Sequence, residues 1–172
     1  FQQWIKIIEL LGYDWAKDAI VKLAEDGIIK GTGEKTFSPA SDITRADFAI
    51  LIVRALKLEG EGVSNFSDVS QSDYFAKELS IAKEAGIITG VGGDKCNPRG
   101  KITRQDMMTI IARALEKSGY DLKPADRNAL HAFFDNAQIA GYAKDAAALL
   151  VTNGFIAGSN GKLNPTAYTT RA

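Results

Sequence analysis

The apolar residues of this chain recur at helical spacing in short runs, and the runs come in pairs. From Trp15 to Asp26, Ala16, Ala19, Ile20, Leu23 and Ala24 fall on one side and Lys17, Asp18, Lys22 and Glu25 on the other, which predicts a short amphipathic helix. Gly27 follows the last periodic residue, a place that suits a left-handed C-terminal cap. Phe75 to Ala85 and Ala143 to Asn153 read the same way and stop at Gly86 and Gly154. After each helix come an apolar pair (Ile28-Ile29, Ile87-Ile88, Phe155-Ile156), a Gly-rich loop, and a turn dipeptide (Ser38-Pro39, Asn97-Pro98, Asn164-Pro165) whose proline keeps the residue before it out of the helical region. A second helix then carries Phe48, Leu51, Ile52, Ala55 and Leu56 in one copy and Met107, Ile110, Ile111, Ala114 and Leu115 in the next. Thr44 and Thr103 precede Asp47 and Asp106 by three residues, so their hydroxyls are expected to cap the first turn.

The landmarks are in register three times. Thr44-Arg45-Ala46-Asp47 recurs as Thr103-Arg104-Gln105-Asp106 and as Thr170-Arg171-Ala172; a proline stands five residues before each, and an aromatic, Trp15, Tyr74 or Tyr142, twelve before each helix-ending glycine. A fixed-period echo of this kind marks a repeat architecture. The expectation is an all-α fold of three helix-loop-helix repeats, 14–59, 60–118 and 119–172, in one compact domain, the third copy lacking its second helix in this sequence. Phe1, Trp4, Ile5, Ile8 and Leu11 repeat the second-helix spacing. Residues 1–13 therefore read either as an N-terminal helix that completes a central three-helix bundle, in cis or swapped between two copies of the chain, or as the tail of an unrelated upstream segment. The connectors Gly60 to Ser72 and Lys117 to Ala140 read as polar surface, with Phe66 and Phe133 as anchors and Asp68 and Asp135 as turn-setting or helix-capping residues.

Composition narrows the function classes. With 21 basic and 21 acidic residues the chain has no overall positive field of the kind nucleic-acid binders use. One cysteine, Cys96, excludes an internal disulfide framework and reads as an incidental loop residue. No apolar stretch is long enough to span a bilayer, and the residues from Phe1 do not read as a signal peptide. No catalytic or metal cluster emerges: His131 is the only histidine, the Gly-rich loops lack the Lys-Ser/Thr of a phosphate loop, and the acidic pairs Asp42/Asp47 and Glu59/Glu61 have only abundance in their favour. No enzyme activity and no cofactor are expected.

The motifs Gly27-Ile28-Ile29-Lys30-Gly31, Phe37-Ser38-Pro39 and Thr44-Arg45-Ala46-Asp47, with their echoes from Gly86 and from Gly154, resemble the S-layer homology repeat of bacterial surface proteins. The resemblance covers nearly everything from Asp14 onward; Cys96 and Leu163 depart from it where Phe37 stands, and Gln105 where alanine is usual. It implies a pseudo-threefold, three-pronged domain, outside the cell on a bacterial wall or S-layer. Such a domain tethers its protein by binding a secondary cell wall polysaccharide, commonly pyruvylated. Recognising a ketal-linked carboxylate in water takes a cation, oriented N–H donors and a flat apolar surface. Arg45, Arg104 and Arg171 at helix starts would supply the fork and the helix dipole, or else pair with local carboxylates. Gly31, Gly90 and Gly158 would admit a sugar to the backbone, or simply turn the chain. Trp15, Tyr74 and Tyr142 would stack on a sugar face, or cover the head of the first helix; Thr44 and Thr103 complete the candidate set. The rival readings are a protein-protein assembly module of a surface lattice and, far behind, a wall-modifying hydrolase.

Overall fold

The computed structural model describes residues 10–33 and 36–172. Among the described residues there are five α-helices: α1 (Asp14–Glu25), α2 (Arg45–Ala55), α3 (Ala76–Glu84), α4 (Arg104–Lys117) and α5 (Lys144–Thr152). Short 3₁₀ stretches at Arg127–Ala132, Asn136–Gln138 and Gly141–Ala143 precede α5. Among the described residues there are isolated antiparallel bridges but no strand, so the fold is all-α. The chain divides into two compact units, residues 1–43 with 170–172, and residues 44–169. The reading of residues 1–11 as part of a three-helix centre falls on a segment whose first nine residues lie outside the described ones.

Each first helix ends as its glycine predicts. Gly27, Gly86 and Gly154 adopt φ of +72°, +69° and +74°. Their N–H groups donate to Ala24, Lys83 and Val151, and the next N–H groups, of Ile28, Ile87 and Phe155, reach back to Leu23, Ala82 and Leu150. This is the paired bonding of a Schellman cap, made three times.

The second helices start on the threonine cap. Thr44 Oγ1 accepts from the Asp47 N–H at 3.1 Å, and Thr103 Oγ1 from the Asp106 N–H at 3.3 Å. The two N–H groups ahead of the capped one have no acceptor inside a helix. Here they donate to loop carbonyls of another copy. Arg45 and Ala46 donate to Gly100 and Pro98, both at 2.9 Å, and Arg104 and Gln105 to Ala167 and Pro165, again at 2.9 Å. In the smaller unit Arg171 and Ala172 donate to Ser41 and Pro39, at 3.0 and 3.1 Å. The residues before the three prolines, Ser38, Asn97 and Asn164, avoid the right-handed helical region as expected, but by turning left-handed (φ 54°, 49° and 51°), a conformation that asparagine tolerates well.

Three expectations change. Asp68 lies in the turn that the Val69 N–H closes on the Phe66 carbonyl at 3.1 Å, but it does not cap α3: its carboxylate accepts the N–H groups of Cys96 (3.0 Å) and Asn97 (2.8 Å) and so clamps the loop of its own copy. Asp135 does the same for Leu163 (2.9 Å) and Asn164 (2.7 Å). Cys96 is no incidental loop residue; it is buried in the place that Phe37 and Leu163 take in their copies. Burial first, then the Asp68 carboxylate, pushes its thiol up to about 12. The connector of residues 117–140 joins the core, since Leu130, Phe133 and Ile139 are buried with Met108, Ala147, Leu150 and Leu163 between α4 and α5.

The apolar stripe of the second helices is also broader than its period suggests. Phe48, Ala49, Ile50 and Val53 of α2 are buried, while Leu51 and Ile52 are half-buried and Ala55 is exposed. Met108, Ile110, Ala112 and Ala114 of α4 are buried, with Met107, Ile111 and Leu115 packed alongside. A helix apolar on most of its circumference leaves periodicity little to select a face by.

Burial alone would raise the Asp68 carboxyl, but the N–H groups of Cys96 and Asn97 outweigh it and hold it below its ordinary value. A depressed carboxyl stabilises the fold above the unfolded-state value of about 4, and that contribution is lost as pH falls through the folded value. Asp68→Asn is expected to cost about 1–3 kcal/mol at neutral pH. Thermal melts should also show a smaller acid-induced loss for the variant than for the parent; equal losses would contradict the clamp.

Candidate functional site

Arg45 is the first residue of α2, and its side chain crosses to the second copy. Nε donates to the Cys96 carbonyl at 2.8 Å and Nη1 to Asp106 Oδ2 at 2.7 Å, leaving 11% of the side chain exposed. The other Asp106 oxygen accepts from the Tyr142 hydroxyl at 2.6 Å. A residue from each of the three copies thus enters one chain of charge-assisted bonds. Burial, and then the Asp106 carboxylate, hold the Tyr142 phenol up at about 12. Gln105 helps to set that tyrosine: its Oε1 accepts from the Ala140 N–H at 3.0 Å, just ahead of the 3₁₀ turn that bears Tyr142.

Arg45, Asp106 and Tyr142 line a cavity of about 440 Å³, walled further by Ile88, Thr89, Gly90 and Val91 of the Gly-rich loop and by Thr109, Ile110 and Arg113 of α4. Gly90 is needed there by the fold. At φ +81° an added Cβ would meet the Lys95 carbonyl oxygen at 2.5 Å and the Phe66 ring at 3.0 Å. Gly158 is held alike, at φ +71° with the Lys162 oxygen at 2.6 Å and the Phe133 ring at 2.7 Å from such a Cβ. Turning the chain and admitting a ligand are therefore compatible at Gly90.

Arg113 and Asp106 did not stand out as site residues in the sequence, although a signal exists. Nine residues after Arg45 and Arg104 stand Arg54 and Arg113, each followed by alanine. Arg113 Nη1 donates to Thr89 Oγ1 at 3.1 Å and to the Ile87 carbonyl at 3.4 Å, both neutral acceptors. Within this cavity Asp106 offsets Arg45, whereas Arg113 meets no carboxylate among the described residues.

The other candidates repeat parts of this arrangement. Arg104 Nε donates to the Leu163 carbonyl at 2.9 Å. Arg171 Nε donates to Phe37 O at 2.9 Å and Nη2 to Lys30 O at 2.7 Å, with the guanidinium 4.8 Å from the Phe37 ring centre. All three arginines thus fasten a loop carbonyl through Nε. Tyr74 donates to Asp47 Oδ1 at 2.8 Å, as Tyr142 does to Asp106, and burial followed by that carboxylate lifts its phenol to about 12 too. Trp15, Tyr74 and Tyr142 are exposed by 75%, 66% and 60%, so none is core cover for its helix. Thr44 and Thr103 are engaged as caps, and Gly31 is half-buried. The expected free backbone donors at the helix starts are corrected: the N–H groups of Arg45, Ala46 and Asp47 are all bonded within the protein. Among the described residues no group of three or more His, Cys, Asp or Glu could hold a metal, and no helix is long and apolar enough to cross a membrane.

Helix pairs with glycine-capped first helices, threonine-capped second helices and arginine staples between copies define a tandem-repeat module. The S-layer homology domain model matches residues 12–49 and 65–108, and the chain belongs to that family. It is 34% identical over 161 residues to the surface-layer 125 kDa protein of Lysinibacillus sphaericus, a match covering 91% of this chain and 13% of that protein. It is also 34% identical over 161 residues to an amylopullulanase of Thermoanaerobacterium thermosulfurigenes (92% of this chain, 8% of the enzyme). The S-layer protein sap of Bacillus anthracis is 28% identical over 160 residues, covering 92% of this chain and 19% of that protein. The chain therefore spans a small fraction of each relative's length.

A phenol raised above its unfolded value of about 10 stabilises the fold below that pH, and the contribution is lost as pH rises through the folded value. An ultraviolet absorbance titration is expected to show two of the five tyrosines, Tyr74 and Tyr142, ionising near pH 12. Asp106→Asn should bring one of those steps down. A titration with no step near pH 12 would contradict the tyrosine–aspartate pairs.

Proposed function

We propose that this chain is a non-catalytic anchoring module that tethers a bacterial surface or S-layer protein to the cell wall by binding an anionic, pyruvylated secondary polysaccharide in grooves between repeats. The observation that supports this best is the convergence of Arg45, Arg113, the Gly90 loop and the exposed Tyr142 on one cavity of about 440 Å³, within the range of small-ligand sites. Arg113, bonded only to neutral groups, offers a planar fork to a ketal carboxylate. Arg45 adds its charge from beside it while remaining fastened to Asp106. The Tyr142 ring gives a flat face for a pyranose, and the hydroxyls of Thr89 and Thr109 exchange hydrogen bonds with sugar hydroxyls. We extend the reading to the remaining candidates, Arg104 and Arg171, Gly31 and Gly158, and Trp15 and Tyr74, with Thr44 and Thr103 shaping the helix starts.

The relatives support a module independent of any one chemistry. A surface-layer protein and an amylopullulanase share this segment, and it makes up 13% and 8% of them. A feature common to both is more simply a place of attachment than a reaction.

Calorimetric titration of the chain with intact wall polysaccharide, and with the same polymer after mild-acid removal of pyruvate, tests the reading. Loss of one charge-assisted pair, about 1.5–3 kcal/mol, should weaken binding roughly tenfold or more, either on depyruvylation or in Arg113→Gln. Equal binding of both polymers would overturn it. Concentration-dependent self-association without polymer, read by sedimentation, would favour a lattice-assembly module instead.

A further inference from the structure

The chain holds two Asn-Gly pairs, Asn153-Gly154 just past α5 and Asn160-Gly161 in the third Gly-rich loop. In such a pair the glycine has no side chain to shield its nitrogen, which can attack the asparagine carboxamide carbon and close a cyclic imide. The structure treats the two pairs in opposite ways. We propose that Asn160 is a site of spontaneous covalent modification, converted by the Gly161 nitrogen to aspartate and isoaspartate, and that Asn153 is held out of the same chemistry.

Asn153 is restrained at three points. Its Oδ1 accepts the Lys123 N–H at 2.8 Å, and its Nδ2 donates to the carbonyls of Lys123 at 3.0 Å and Leu149 at 2.8 Å. The attacking nitrogen of that pair is engaged as well, since the Gly154 N–H donates to the Val151 carbonyl at 3.0 Å. Asn160 has none of these restraints. It is exposed, and neither its carboxamide nor the Gly161 N–H has a hydrogen-bond partner among the described residues. Ser159 and Lys162 exchange backbone bonds in both directions at 2.9 Å, so Asn160-Gly161 is the two-residue tip of a turn, with φ of 49° and 69°.

The step needs no partner but water. The Gly161 nitrogen bonds to Asn160 Cγ, and the carboxamide nitrogen leaves with the displaced proton as ammonia. Water then opens the imide. Breaking the bond from Gly161 N to Cγ gives aspartate in the original chain; breaking the bond from Gly161 N to the Asn160 backbone carbonyl carbon gives isoaspartate, whose chain runs through Cβ and Cγ. Nothing is oxidised or reduced, and the net exchange is one water in for one ammonia out.

Isoaspartate lengthens the backbone by one methylene at a place with little slack. The Gly161 carbonyl accepts the Phe134 N–H at 2.9 Å, and the Phe134 ring lies 2.6 Å from where a Gly161 Cβ would stand. Two residues on, Leu163 gives its N–H to Asp135 and its carbonyl to Arg104 Nε, both at 2.9 Å. The added methylene strains the Ser159–Lys162 pair and the Phe134 bond together, so the loop that receives the start of α4 is loosened in the aged chain.

Trypsin releases both pairs in one peptide, residues 145–162, so each site is the control for the other. The whole folded chain is incubated at mildly alkaline pH, where the backbone nitrogen loses its proton more readily, and the peptide is then mapped by tandem mass spectrometry. Conversion at Asn160 is expected to run about tenfold or more ahead of conversion at Asn153 in the folded chain, and the two rates should come within about threefold of each other in the free peptide. Equal rates in the folded chain, or an Asn160 that stays intact there while the free peptide converts, would overturn the proposal. The loosening is read on the same incubated samples: the melting temperature should fall in the parent and hold in Asn160→Gln, whose longer side chain cyclises far more slowly, and an equal fall in both would overturn that consequence.

Discussion

The first turn of an α-helix has N–H groups that no carbonyl of the same helix can reach, and here that deficit joins the repeats. Arg45 and Ala46 find their acceptors in the loop at Pro98 and Gly100, and Arg104 and Gln105 in the loop at Pro165 and Ala167; Arg171 and Ala172, which are not in a helix, make the same bonds to the loop at Pro39 and Ser41. Each arginine adds a third bond from Nε to a carbonyl of the same loop, Cys96, Leu163 or Phe37. The loop has to be stiff to receive them. That stiffness comes from an Xaa-Pro turn and, in two copies, from an aspartate that clamps the loop's own N–H groups. At the starts of α2 and α4, a place unfavourable for a cation on dipole grounds, Arg45 and Arg104 staple one copy to the next.

This docking makes the groove a product of neighbouring copies. Once the start of α2 sits on the loop of the second copy, Arg45 lies against Asp106, and Gln105 and Asp106 together hold the turn bearing Tyr142. Because Asp106 takes up the charge of Arg45, the cation left with neutral partners is Arg113, about two turns further along α4. In the proposed function, the repeated arginine and the arginine offered to the ligand are then different residues. A substitution at Arg45 disturbs the fold and the site together.

Much of this was legible in the sequence. The glycine caps, the threonine caps and the pairing of helices follow from local chemistry within ten or so residues, and the structure has them where the period puts them. What lay out of reach was whatever depends on residues far apart in sequence, such as the bond from Arg45 to Cys96, 51 residues apart, or from Tyr142 to Asp106, 36 apart. Cys96 illustrates the limit: beside Asn97 and Pro98 it reads as loop, and only tertiary packing shows that it fills the core position of Phe37. Arg113 was hidden differently. Its spacing from Arg104 matches that of Arg54 from Arg45, but a lone arginine within an apolar helix resembles a solvated position until the cavity beside it is known.

Amide hydrogen exchange of the first helical turns tests the docking most directly. N–H groups at those positions ordinarily exchange fast, having no intrahelical acceptor. The amides of Arg45, Ala46, Arg104 and Gln105 are predicted to exchange as slowly as those in the middle of α2 and α4. Exchange at the rate of a frayed helix end at all four positions would contradict the docking, and with it the construction of the groove.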